Sequence, residues 1–438
     1  MLFYPRCTAQ VSVVFDGRGG PDIGPILLEV QPDSANVALT GYHEADTWSI
    51  EFDQRVLPLD PDLIRSAVVA VHMWAAELYD EPDRIVPETR MVIGLADEGG
   101  MTVDEDNQSI RLEGRDYTGL LLDQQWDPRK RVPAGRPLDR VVQEIADDAA
   151  PPGASLRFRV QYESTATPVP PMTGGTRRAT NKKGQPVASG KSVWDVIYEL
   201  CLSHGFIVFV RGEDIVISDP QTQTAASLAQ APVIAYGHEL ESLEVRRRFA
   251  KERVPQIRVT GYNPKTRKRV EVLYPRKHEA PDVGLGLAKD ERVFLPAPRG
   301  EYDEAALRRY AEIRYENMAR AEASYKFGTR WLRTRNEADL FQLRGGRPVV
   351  VEFDPWNAEA MRALNPAQRV EHLLARGYSS SVAAVVAENY ERLIQARQPH
   401  YTRLAEFAYA IDDGMAIAVE AVNYAYEPRE LDEQRSVG

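Results

Sequence analysis

The chain has 438 residues, 54 Lys and Arg against 65 Asp and Glu, a formal net charge of −11, and 43% hydrophobic and 27% charged residues. That length predicts about two to four domains, and the excess of acid argues against a dedicated nucleic-acid binder, which would gather Lys and Arg instead. Cys7 and Cys201 lie too far apart in sequence to suggest a disulfide framework or a C-x-x-C metal site. The opening M-L-F-Y-P-R-C lacks a basic region followed by a long apolar run, so no signal peptide is expected. No window reaches the roughly 18 apolar residues of a membrane helix, so the expectation is a soluble protein made in a cytoplasm.

Residues 1–113 read mostly as β. Ala9–Phe15 alternates, Gly17–Gly20 with Pro21 and Pro25 interrupts it, and Ile26–Val30 follows. Thr47–Phe52 places Trp48, Ile50 and Phe52 on one face, Ala67–Trp74 reads as either a strand or a buried helix with its valines favouring strand, and Arg90–Leu95 closes the series. Short strands punctuated by Gly and Pro describe a sandwich or barrel. In I-R-L-E-G-R-D-Y-T-G-L-L-L-D-Q-Q-W (Ile110–Trp126) the period changes from two to about 3.6, a strand turning at Gly114 into a helix that Asp116 or Thr118 caps. This is the expected joint between a β-domain and a mixed one.

From Asp116 to about Leu228 the pattern is mixed: helix at Pro137–Ala149, strand at Leu156–Val160, and a long loop at Ser164–Lys191 carrying Arg177, Arg178, Lys182 and Lys183. A helix–hairpin unit follows, Ser192–Cys201, Phe206–Val210 and Ile215–Ile217. Leu243–Arg248, Pro255–Thr260 and Val270–Leu273 return to β; Asp303–Tyr325 reads as one long helix through its Ala, Glu and Arg. Pro348–Phe353 is a strand, Asn357–Arg397 helical, and Phe407–Ile411 and Met415–Tyr424 form a hairpin over Asp412–Asp413–Gly414. The helical block thus reads as an insertion between strands of one β-domain.

Several of these stretches resemble the tail and baseplate hub proteins of bacteriophages and related contractile injection machines: G-R-D-Y-T-G-L-L-L-D at 114–123, the helix–hairpin at 192–217, V-P-Q-I-R-V-T-G-Y at 254–262, the helix at 303–325 and R-G-G-R-P-V-V-V-E-F at 344–353. The likeness covers most of the chain except Asn357–Arg397. It implies an α+β, mainly β fold: a tube-like β-barrel (1–115), a mixed α/β linker (116–230), a second barrel with the long helix (231–356), a helical insertion (357–400) and returning strands with a tail (401–438). It also implies a homotrimer, a symmetry adaptor whose two barrels per copy match a sixfold tail tube above and a threefold spike or fibre below. The partners implied are the tube or distal tail protein, the central spike or fibre, the tape-measure protein and the baseplate wedge, with DNA only in transit and no membrane insertion.

Enzymatic constellations are wanting. Asp104–Glu105–Asp106 and Asp412–Asp413 lie in polar turns, where Asp bonds its own backbone. His43, His72, His204, His238, His278, His372 and His400 are scattered without H-E-x-x-H spacing, and no G-x-x-x-x-G-K-[ST] loop or G-x-S-x-G elbow occurs. No cofactor, metal or catalytic residue is therefore expected. The interface candidates are Arg246, Arg247 and Arg248, then Arg267, Lys268 and Arg269, which alternate with apolar residues on expected strands. They suit an acidic subunit surface or DNA, the second predicting affinity that falls steeply with salt. A tail-borne cell-wall hydrolase and a peptidoglycan-binding module remain as alternatives.

Overall fold

The computed structural model describes residues 3–15, 25–40, 43–56, 63–77, 84–127 (save 105 and 107), 136–149, 156–162, 191–203, 206–218, 231–235, 242–247, 256–263, 266–274, 292–301, parts of 304–315, 323–329, 341, 343, 348–352, 358–396, 400–411 and 415–423. The first seven strands are β1 (Phe3–Phe15), β2 (Ile26–Val30), β3 (Ser34–Thr40), β4 (Thr47–Asp53), β5 (Ile64–Glu77), β6 (Arg84–Asp104) and β7 (Ser109–Asp116). Their alternation builds the core face directly. Trp48, Ile50 and Phe52 on β4, Ile110 and Leu112 on β7, and Val69, Val71 and Met73 on β5 all point inward and are buried. Each such side chain contributes about 1.5–3 kcal/mol on leaving water.

The later strands are β8 (Arg159–Tyr162), β9 (Ile207–Arg211), β10 (Asp214–Ser218), β11 (Val233–Ala235), β12 (Ser242–Arg247), β13 (Gln256–Asn263), β14 (Lys268–Tyr274), β15 (Arg292–Glu301), β16 (Ala323–Thr329), β17 (Pro348–Glu352), β18 (His400–Ile411) and β19 (Met415–Asn423). One sheet of 13 strands runs in the order β12-β16-β19-β18-β3-β4-β7-β6-β5-β1-β2, with β17 also on β18 and β11 on β17. The expectation of two barrels is therefore corrected: among the described residues the ladder does not close on itself. The physical reason lies in β3. Its Ala35–Thr40 pairs antiparallel with Glu406–Ile411 of β18, so the two strand sets fuse where each would otherwise present an unpaired edge. The core follows the same logic, since Tyr325, Phe327, Phe341, Val349 and Val351 belong to one cluster with Val37, Trp48 and Met73.

The mixed unit consists of α1 (Thr118–Asp123), α2 (Leu138–Ala149), α3 (Val193–Ser203) and a small sheet in which β10 pairs parallel with β8 and antiparallel with β9. Leu138, Val141, Val142, Ile145 and Ala146 form the buried stripe of α2 and pack with Trp194, Ile197, Phe206 and Ile215. Val68 of β5 with Ile93 and Leu95 of β6 pack against this cluster, so the unit sits on the face of the large sheet opposite its main core.

A separate sheet, β14-β13-β15, is covered by helical residues Leu307, Tyr310 and Ala311 against Ile257, Val259 and Val272. The reading of one helix over 303–325 is corrected at its end: Ala323–Thr329 is β16, paired with β12 and β19. There Tyr325 and Phe327 are buried at a spacing of two, the signature of a strand. Finally α4 (Ala358–Arg362), α5 (Pro366–Ala375), α6 (Ser380–Glu388) and α7 (Tyr390–Ala396) stand between β17 and β18, which pair with each other. Met361, Leu373, Ala383, Val386 and Tyr390 give this segment a core of its own. Among the described residues no helix is long and apolar enough to cross a membrane.

Candidate functional site

The stretch 114–123 is where sheet and mixed unit meet, and each polar or small residue in it has a mechanical part. Strand β7 does not turn at Gly114 but continues to Asp116. A Cβ at Gly114 would lie 2.1 Å from the Leu95 carbonyl oxygen and 2.7 Å from Trp48 Cζ2, so only glycine lets β6 and the Trp48 ring approach this closely. Arg115 then ties three segments together. Its Nε donates to Asp97 Oδ1 at 2.7 Å, and its two terminal nitrogens donate to the Asp123 carboxylate at 3.1 and 2.8 Å. The bidentate half is the stronger geometry. Asp97 sits in a bulge of β6, where pairing to β7 jumps between Ala96 and Met101. The guanidinium lies across Gly119, whose added Cβ would meet Arg115 Cβ at 3.2 Å and its Cζ at 3.4 Å.

Asp116 is buried, and its carboxylate accepts the Thr118 amide at 3.1 Å and the Thr118 hydroxyl at 2.8 Å. The cap of α1 is thus shared: Asp116 accepts and Thr118 donates, while Tyr117 at the N-cap position offers no side-chain bond. The Asp116 amide also donates to the Asp46 carbonyl at 2.8 Å. Burial pushes the Asp116 carboxyl well above the usual range, and the Asp46 charge pushes it the same way, against the bonds from Thr118.

A second tie joins the β3–β4 connection to α3. Trp194 Nε1 donates to the His43 carbonyl at 2.7 Å, the His43 imidazole lies 2.6 Å from Asp195 Oδ1, and its ring meets Tyr198 edge-on at 5.0 Å. Asp195 Oδ2 accepts the Ser192 amide and hydroxyl while Ser192 Oγ accepts the Asp195 amide, a reciprocal cap on α3. Although burial opposes it, the bonds from Ser192 and then His43 hold the Asp195 carboxyl below its ordinary value. Ser, His and Asp here are not a nucleophile relay, because Asp195 stands between the other two and Ser192 Oγ has its bond to the carboxylate. The cavity at this joint, lined by Asp46, Arg90, Asp116, Thr118, Trp194 and Gly212 among others, has a volume of about 40 Å³. That is room for a water or two and far below a substrate pocket.

The other sequence candidates are dispersed. Arg246 is exposed on β12 and bonded to Glu244 at 2.6 Å, Arg247 ends that strand, and Arg248 lies outside the described residues. Arg267, Lys268 and Arg269 are exposed at the β13–β14 turn, on a different sheet, so the two basic runs do not share a strand ladder. Asp104 accepts the Asp106 amide at 3.0 Å, a local turn bond. Asp412 and Asp413, and residues 164–190 of the long loop, lie outside the described residues. Cys7 and Cys201 are buried in different cores, and burial raises both thiols, Cys7 to about 12. Among the described residues no group of three His, Cys, Asp or Glu side chains is placed to hold a metal. Sequence reasoning missed the Arg115–Asp97–Asp123 clamp and the His43–Asp195 tie; in the first, the signal was the spacing of a glycine on either side of Arg115.

The long open sheet, the mixed unit on its face and the helical segment set between two paired strands make a fold similar to that of two solved tail proteins. The 43 kDa tail protein of prophage MuSo2 from Shewanella oneidensis superposes with a TM-score of 0.55 at 11% identity, covering 96% of this chain and 98% of that one. The tail protein from Neisseria meningitidis MC58 gives 0.53 at 11% identity, covering 94% and 96%. No family model matches the sequence and no curated protein matches it, so the likeness is one of fold, carried over nearly the whole length.

Proposed function

We propose that this chain is a structural subunit of a phage-type tail, a hub at the tail tip or baseplate assembled from three copies. The observation that carries the reading is the end-to-end likeness of its fold to two tail proteins, one of them from a prophage. The sheet also ends in three strands, β2, β12 and, on its branch, β11, whose outer edges carry no further strand among the described residues. Leu27 on β2 and Val245 on β12 are exposed apolar residues at those edges. Such edges are a hazard in a free monomer and an asset in a ring, where a neighbour covers them.

In this reading each copy brings two strand sets, seven strands from residues 3–116 and six from residues 233–423, so that three copies offer six comparable seats to a sixfold tube while keeping threefold symmetry for a spike or fibre. Its neighbours are the tube or distal tail protein above and the spike or fibre below, with tape-measure protein and DNA passing through. The test is mass in solution by light scattering, followed by electron imaging for threefold rings. A chain that stays monomeric at all concentrations and forms no ring with a tube protein overturns the proposal. Hydrolysis of purified cell walls by the isolated chain would reverse it in favour of a tail-borne enzyme.

A further inference from the structure

The β13–β14 hairpin ends in Thr266, Arg267, Lys268 and Arg269, all exposed. Its turn is held in shape: Asn263 Oδ1 accepts the Thr266 amide at 3.2 Å, and Lys268 pairs with Asn263 and Arg269 with Tyr262 across the ladder. Arg267 has φ +52°, a left-handed conformation that glycine or asparagine usually fills.

Elsewhere the described cations largely carry their own counter-ions. Arg115 has Asp97 and Asp123, Arg159 has Asp214 at 3.0 Å, Arg246 has Glu244, and Arg258, on the same hairpin, has Glu271. No ion pair among the described residues includes Arg267, Lys268 or Arg269. Three consecutive uncompensated cations thus project from a chain whose net charge is −11. Beyond about 8 Å charges are screened at physiological salt, so local charge decides whether this tip meets an acidic surface.

We propose that the β13–β14 hairpin tip is a docking surface for an acidic face of a second copy of this chain. The inference rests on the reading of the chain as a self-assembling subunit and names one contact within that assembly. A copy suits the tip better than a nucleic acid does. Three cations match a discrete patch of carboxylates, whereas duplex binders engage a continuous run of phosphates.

The test uses the full chain. Light scattering is compared at low and high salt for the wild type, for Arg267→Gln/Lys268→Gln/Arg269→Gln, and for the corresponding triple change to Glu, with circular dichroism confirming an unchanged fold. In parallel, an equal mixture of normal and nitrogen-15-labelled chains is treated with a carbodiimide, which joins an amine to a carboxylate with loss of water. The expected result is association weakened about tenfold by the Gln variant and further by the Glu variant, with Lys268 linked to Asp or Glu of the other isotope. Association unchanged in the Glu variant, or Lys268 links only within one copy, overturns this contact while leaving self-assembly standing. A wild type that never associates overturns both. Retention on DNA that the Glu variant loses, with association intact, assigns the tip to nucleic acid and overturns the proposal.

Discussion

Replacing Gly114 by alanine tests whether the joint depends on close backbone approach. The added Cβ would stand 2.1 Å from the Leu95 oxygen, against the 3.0 Å that real Cβ contacts respect, an overlap of 3.0 − 2.1 = 0.9 Å. Two more overlaps, 2.7 Å to Trp48 Cζ2 and 2.8 Å to Ala96 Cα, block escape sideways. Because the chief obstacle is backbone of a paired strand, β6 must move off β7 rather than a side chain swing away. Overpacking of a tight site costs about 1–3 kcal/mol, and a broken strand pairing beside it brings the expected loss to about 3 kcal/mol or more. The comparison is Gly99→Ala, where nothing lies within 4 Å of the new Cβ and only a φ of +80° opposes it; about 1 kcal/mol is expected there. Urea unfolding followed by circular dichroism measures both. Equal losses in the two variants, or a loss at Gly114 below that at Gly99, would refute the close-approach argument.

Asp116→Asn should flatten the pH dependence of stability. With its carboxyl raised by burial above the reference 3.8, wild-type Asp116 contributes stability that is fully present below that value and lost as pH rises through the folded pKa. Thermal melts from about pH 4 to pH 8 should therefore move in favour of the Asn variant as pH increases; parallel curves would contradict the assignment. In the helical segment, Arg369 is 8% exposed, donates to the Met361 carbonyl at 3.1 Å and to Glu391 at 3.2 Å, and stacks 3.9 Å over the Tyr390 ring. Arg369→Ala should cost that segment about 2–3 kcal/mol, while Glu391→Gln, at a carboxylate 73% exposed, should cost well under 1 kcal/mol. Hydrogen exchange resolved to residues 358–396 distinguishes the two, and an equal effect would show the salt bridge rather than burial to be the stabilising part.

Local order was legible where period and chemistry agree. The helix–hairpin was readable because Trp194, Ile197 and Cys201 fall at helical spacing and Ile215 and Ile217 at strand spacing, and the structure gives Val193–Ser203, Ile207–Arg211 and Asp214–Ser218. Strand β3 was missed, since Ser34–Thr40 is built of Ser, Ala and Asn as much as of Val and Leu, weak strand formers on their own. That one omission hid the pairing with β18, and with it the fusion of the two strand sets into one sheet. Strand β6 was read as Arg90–Leu95 because the Asp97–Gly100 bulge breaks the alternation that the strand resumes at Met101. Asp303–Tyr325 was extended too far because helix-forming Ala and Glu run on into β16, where Tyr325 and Phe327 enter the main core. At the joint, the G-R-D motif was visible but not its workings, because Asp97 and Asp195 reach their partners only through pairing and packing across the fold.

The register of β17 on β18 sets Val351 opposite His400, so the chain leaves and re-enters the sheet at points separated by about one interstrand spacing, some 4.8 Å. Whatever is strung between those two doorposts bears no duty toward the ladder. A stretch with its own core can be lengthened, exchanged or traded for a tight turn while the sheet stays as it is, which makes this a natural grafting point for a different insert.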